Sequence, residues 1–117
     1  MIVPGQAVRI VVATRPVDFR KGHDGLAAVV QDQLGFDPHS GLVVIFRSRR
    51  GDRAKILFWD GSGLVMVYKR LEQGSFTWPA VQDGVMRLSR AQFEALFEGL
   101  DWRRVMARRV PRPTAAE

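Results

Sequence analysis

The chain has no cysteine. Disulfide frameworks, thiolate zinc sites and cysteine nucleophiles are therefore excluded, and the composition fits a reducing compartment. Histidine is nearly as scarce. His23 and His39 are the only two, they fall in separate loops, and neither has a second histidine or a carboxylate cluster at metal-ligand spacing. No run approaches the roughly 18 apolar residues of a membrane span, and the first eight residues lack a cationic flank followed by a long apolar stretch. Neither a transmembrane helix nor a signal peptide is predicted. Negative charge is also in deficit. With 12 acidic residues against 18 Lys and Arg, the net charge is +6 and the pI is near 11.0. These totals predict a soluble, cytoplasmic protein attracted to polyanions, nucleic acid first among them.

What is present suits one compact domain. At 117 residues, 46% hydrophobic and 26% charged, the chain is long enough for a single core and too short for two. Residues 8–13 form a β-branched run, ended by Arg15-Pro16. Asp24 stands where it can cap a helix over about residues 25–34, with Leu26, Val29, Val30 and Leu34 on one stripe and Gly35 at the stop. Strands are expected at residues 42–47, 54–59 and 64–70, joined by hairpin-length connections at 48–53 and 60–63. Shorter strands are expected at 76–78 and 85–88. Ser89 with Gln92 reads as a capping box, opening a helix that carries Phe93, Leu96, Phe97 and Leu100 on one face. The predicted fold is α+β: an antiparallel β-meander of about four to six strands with two helices over residues 1–104. Residues 105–117 read as a basic, disordered tail.

The faces of the second hairpin follow from its turn. If Gly61-Ser62 is a two-residue turn, Ile56, Phe58, Val65 and Val67 share one sheet face. Leu57, Trp59, Leu64 and Met66 share the other, with Lys55 and Tyr68. Both faces are then largely apolar and both need cover. A face left open by the helices predicts self-association or a stable partner.

The cations concentrate at the first hairpin. Arg47, Arg49, Arg50, Arg53 and Lys55 fall within nine residues, and cations on a tight turn build a local field suited to phosphates. Asp52 offsets part of that field, and a merely solvated turn is the plainer alternative. Arg20 and Lys21 extend the same footprint or pin their own loop. Lys69, Arg70, Arg103 and Arg104 are further candidates, as are Arg108 and Arg109, read as a sequence-independent tether. Trp78 and Tyr68 are candidates for base stacking, whereas Trp59, within a strand, reads as core. No catalytic residue is assigned. Asp37, Asp52, Asp60 and Asp83 each abut Gly or Pro in turns, where aspartate serves local hydrogen bonds. Nor does a glycine-rich loop open a helix, since Gly61-Ser62-Gly63 precedes a strand. No cofactor or metal is expected.

Several blocks, taken in order, resemble one family. They are Asp18-Phe19-Arg20-Lys21-Gly22-His23-Asp24-Gly25-Leu26, the stretch 46–59 running into Trp59-Asp60-Gly61, and Lys69-Arg70-Leu71-Glu72 through Phe76-Thr77-Trp78-Pro79. Asp83-Gly84-Val85 and Gly99-Leu100-Asp101-Trp102-Arg103 complete the set. Over residues 8–104 the chain is similar to the small accessory (TnpB, or second-reading-frame) proteins of insertion-sequence-66 transposons. The resemblance implies a bacterial, nucleoid-associated protein that assists an element-encoded transposase, with no catalytic residue to carry over. Three readings follow: a nucleic-acid-binding accessory factor, a protein-interaction module for the transposase without DNA contact, and a small nuclease using His23 as acid-base and Arg20 as charge stabiliser.

Overall fold

The computed structural model describes residues 8–106 and 110–114. Five strands are present: β1 (Ile10–Ala13), β2 (Val43–Arg47), β3 (Arg53–Trp59), β4 (Leu64–Arg70) and β5 (Val85–Leu88). Helix α1 (His23–Ala28) continues into a π-helical turn (Val29–Gln33), and α2 (Arg90–Phe97) is followed by a 3-10 turn (Trp102–Arg104). The strands make one sheet in the order β4-β3-β2-β1-β5. The α+β architecture with two helices is as the sequence predicts.

The sheet departs from a plain meander in one pair. Strands β2, β3 and β4 pair antiparallel in sequence order, but β1 lies parallel to β2, with Val11 opposite Val44. A parallel pair cannot be closed by a tight turn. The connection from β1 to β2 carries α1 and its π turn over the sheet instead. Strand β5 then adds to the free side of β1, antiparallel.

Three local expectations are corrected. Asp24 does not cap α1; Gly22 holds the N-cap position and supplies no side-chain bond. The helix starts earlier, at His23, and widens to π geometry at Val29. Residues 76–78 form no strand: Phe76 bonds through its N–H to the Gly51 carbonyl, so this aromatic segment lies against the first hairpin. The capping box at Ser89 is present in both directions, with Ser89 Oγ accepting from the Gln92 N–H and Gln92 Oε1 from the Ser89 N–H. Gly99, at φ +83°, ends the second helical segment where an L side chain is strained.

Alternation along the strands splits the core in two. Ile10, Val12, Val43, Ile45, Ile56 and Phe58 face α2, where Phe93, Leu96, Phe76 and Trp102 close over them. Val11, Val44, Phe46 and Leu57 face the other way and are covered by Leu26, Val29 and Val30. The expected two-residue turn is observed, with Trp59 opposite Leu64 and Phe58 opposite Val65. Each face has its own helical cover, so the face of Leu57 and Met66 packs against the first helix, and open apolar surface there gives no reason for a partner. Fully buried Phe46 and Phe93 each contribute on the order of 1.5–3 kcal/mol of apolar burial.

Candidate nucleic-acid interface

The first hairpin ends in a tip fixed by hydrogen bonds. Ser48 donates its N–H to the Arg53 carbonyl at 3.1 Å, and Ser48 Oγ accepts from the N–H groups of Gly51 and Arg53 at 3.2 and 3.1 Å. Gly51 has φ +82°, a conformation that favours glycine, and an added Cβ would sit 3.4 Å from the Trp78 ring. The Gly51 carbonyl accepts from the Phe76 N–H at 3.0 Å and from Trp78 Nε1 at 2.9 Å. Leu71 closes the base by donating to the Asp52 carbonyl at 2.8 Å. A turn bonded at this many points fixes the backbone from which its side chains project.

Arg49 and Arg50 project from this tip into solvent, and Arg53 is half-buried beside them. Among the described residues, none of the three forms an ion pair with a carboxylate. Arg53 instead meets the Tyr68 hydroxyl at 3.0 Å. A groove of about 470 Å³ runs between the tip and the loop after β1, lined by Pro16, Val17, Asp18, Phe19, Ser48, Arg49, Arg50, Asp52 and Arg53. Asp18 on its wall is clasped by Arg20, at 2.6 Å from Nη2, and these hydrogen bonds hold its carboxyl well below the usual range.

The other predicted contacts divide. Lys55 is only 4% exposed, and its Nζ donates to the carbonyls of Phe19 and Lys21 at 2.7 and 2.8 Å, over the rings of Phe19 and Tyr68. It pins the loop and presents no charge to solvent, a correction to its place among the surface cations. Its face was legible from strand parity; the loop that covers it was not. Lys69 is half-buried, donating to the Phe97 carbonyl at 2.7 Å at the C-terminal end of α2, where a cation suits the helix dipole. Arg47 is half-buried over the Trp78 ring at 5.6 Å, and desolvation lowers its pKa. Arg70 pairs with Glu72, and Arg103 and Arg104 with Asp101. Lys21 is exposed beside Arg20. Arg108 and Arg109 lie outside the described residues.

Of the aromatic candidates, Tyr68 is 47% exposed at the edge of Phe19, 5.7 Å between ring centroids. Trp78 is half-buried, with Arg47 on its ring and its Nε1 bonded to the tip. Trp59 is also half-buried, edge-on to His39 at 5.3 Å. The groove residues the sequence reading passed over are Pro16, Val17, Phe19 and Ser48. Ser48, three residues before Gly51, carries the one local signal that could have marked the turn. Among the described residues, no three His, Asp or Glu side chains are grouped to hold a metal, and no helix is long and apolar enough to cross a membrane.

Comparison with known proteins adds the lineage. The family described as IS66 Orf2 like protein matches residues 8–107. An uncharacterized protein of Sinorhizobium fredii, y4jC, is 47% identical over 114 residues, covering 97% of each chain. A second from the same organism, y4hO, is 40% identical over 103 residues, covering 88% of this chain and 90% of its own. No solved structure matches.

Proposed function

The chain belongs to the IS66 Orf2-like family, accessory proteins of insertion-sequence transposition, and from that premise we propose that it grips DNA phosphates through the tip of its first hairpin. One observation carries the reading: Arg49, Arg50 and Arg53 stand together on a rigid tip without an acidic partner among the described residues. Guanidinium groups carried on a fixed backbone are presented to phosphate from one place, and such contacts position a protein on nucleic acid without reading sequence. Arg20 and Lys21 flank the groove and extend the footprint. Arg70, Arg103 and Arg104 contribute through the long-range field, each being already paired. Tyr68 offers an exposed ring for a base at the groove's edge. Lys55 and Lys69 belong to the fold. On this reading, the chemistry of transposition belongs to the element's transposase, and this chain supplies binding.

The test is a salt titration on duplex DNA. Replacing Arg49, Arg50 and Arg53 with alanine flattens the slope of log affinity against log salt by about three units, similarly on every sequence. The carboxylates of Asp18 and Asp52 in the groove favour a second reading, in which the site takes a mixed-charge segment of the transposase. An unchanged salt slope in a folded triple variant assigns the hairpin to that partner.

A further inference from the structure

Strand β4 is an edge of the sheet, and among the described residues no strand pairs with its outer side. The β3–β4 ladder fixes which groups face out. Asp60 donates to the Gly63 carbonyl and Leu71 to the Asp52 carbonyl, and the register between them is unbroken over seven residue pairs. Bonding pairs alternate in an antiparallel ladder, so Val65, Val67 and Lys69 bond to β3. The N–H and C=O groups of Leu64, Met66, Tyr68 and Arg70 therefore point away from the sheet. Among the described residues, none of those backbone groups has a hydrogen-bond partner.

Edges of this kind are normally guarded by proline, a bulge, a short length or an outward lysine. Strand β4 has seven residues, no proline and no bulge. Its one lysine, Lys69, is turned onto the Phe97 carbonyl, and its exposed cation, Arg70, stands at the very end of the strand and is paired with Glu72. The opposite edge, β5, is short at four residues. Among the described residues, only the β4 edge is left as a template.

We propose that this edge pairs antiparallel with β4 of a second copy, about a two-fold axis through Val67, joining two five-stranded sheets into one. Charge selects the occupant and the direction. A parallel copy sets Lys69 and Arg70 beside their own equivalents, and like charges directly opposite are destabilising. The antiparallel copy sets Lys69 opposite the partner's Val65, Arg70 opposite the partner's Leu64, and Met66 opposite the partner's Tyr68. In that register all four outward N–H and C=O pairs of each strand find partners. An acidic strand from another protein is disfavoured, because Lys69 and Arg70 already hold the Phe97 carbonyl and Glu72. Val65 and Val67, on the face opposite Met66, are only partly buried in the single chain, and the neighbouring strand removes that remaining surface from water. Arg53 lies opposite Arg70 in the ladder, so the two basic tips fall at opposite ends of the shared strands, on the order of 20 Å apart.

The absence of native cysteine makes the test clean. Sedimentation of the full chain over a range of concentrations is expected to give a mass twice 13.2 kDa. Val67→Cys, whose Cβ faces its symmetry mate at a non-hydrogen-bonded position, is expected to cross-link as a dimer on mild oxidation. Leu64→Cys, about six residues from its own mate along the strand, is expected to stay uncrosslinked. Thermal unfolding of both variants under reducing conditions, matching the unsubstituted chain, shows that the fold is kept. A one-chain mass at every concentration overturns the proposal, as does a dimer that Val67→Cys does not link. A one-chain protein that takes an added extended peptide along this edge also overturns it, in favour of a strand from another protein.

Discussion

Lys55 Nζ stands 2.7 Å from the carbonyl oxygen of Phe19, which lies 36 residues earlier in the chain, and 2.8 Å from that of Lys21. One buried ammonium thereby ties the loop after β1 to the third strand and sets the width of the basic groove. Its charge is met by carbonyl dipoles and by the faces of Phe19 and Tyr68. Replacing it with methionine keeps the stem but leaves two carbonyls without this donor. Lys55→Met is expected to lower unfolding stability by about 2–3 kcal/mol in a denaturant titration. Because its charge is not offered to phosphate, the salt slope of DNA binding by the folded variant should stay where it was. A flattened slope would return Lys55 to the interface.

Gly51→Ala probes the rigidity of the tip. The φ of +82° strains any L residue by about 1–2 kcal/mol, and the new methyl meets the Trp78 ring at 3.4 Å. Stability should fall by that amount, and affinity for duplex DNA should fall with it as the backbone that carries the arginines loses its fixed geometry. Full affinity in the alanine variant would show that the tip needs no preorganisation.

Truncation after Val105 removes Arg108, Arg109 and Arg112. Each cation that neutralises one phosphate adds about 0.9 to the salt slope, so the truncated chain should lose up to about three units. The fold should be unaffected, since α2 and Trp102 lie before the cut. A lowered unfolding midpoint would instead show that the segment packs on the domain.

Acid sensitivity follows from carboxylates held by hydrogen bonds, Asp18 and Asp101 among them. Hydrogen bonds from Arg20 lower the pKa of Asp18, and those from Arg103 lower that of Asp101. A carboxyl depressed in the folded state contributes stability that is complete above its unfolded value, about 3.9, and is lost as pH falls below it. Urea midpoints should therefore be flat from about pH 6 to 5 and decline below about pH 4. In Asp18→Asn the decline should be shallower. Identical acid limbs in the two proteins would remove Asp18 from the linkage.

Much of the local structure was legible in the residues themselves. Ser89 and Gln92 three apart make a reciprocal cap whatever surrounds them, and Asp60-Gly61-Ser62-Gly63 forces a two-residue turn that aligns β3 with β4 pair by pair. Parity along those strands also placed Lys55 on the face of Leu57 and Tyr68. Tertiary structure decided what lies over that face. The loop of Phe19 to Lys21 closes on Lys55 from 34 to 36 residues away, a contact that no local pattern encodes, and it turns a predicted surface cation into an internal clamp. The same holds for Lys69, aimed at the end of a helix 28 residues on, and for residues 76–78, which read as a strand by composition but bond to the Gly51 turn. Arg49 and Arg50 were placed correctly in solvent because a turn tip has only solvent to point into. For a cation within a strand, the amino-acid sequence determined the face, and long-range packing determined whether that face met water.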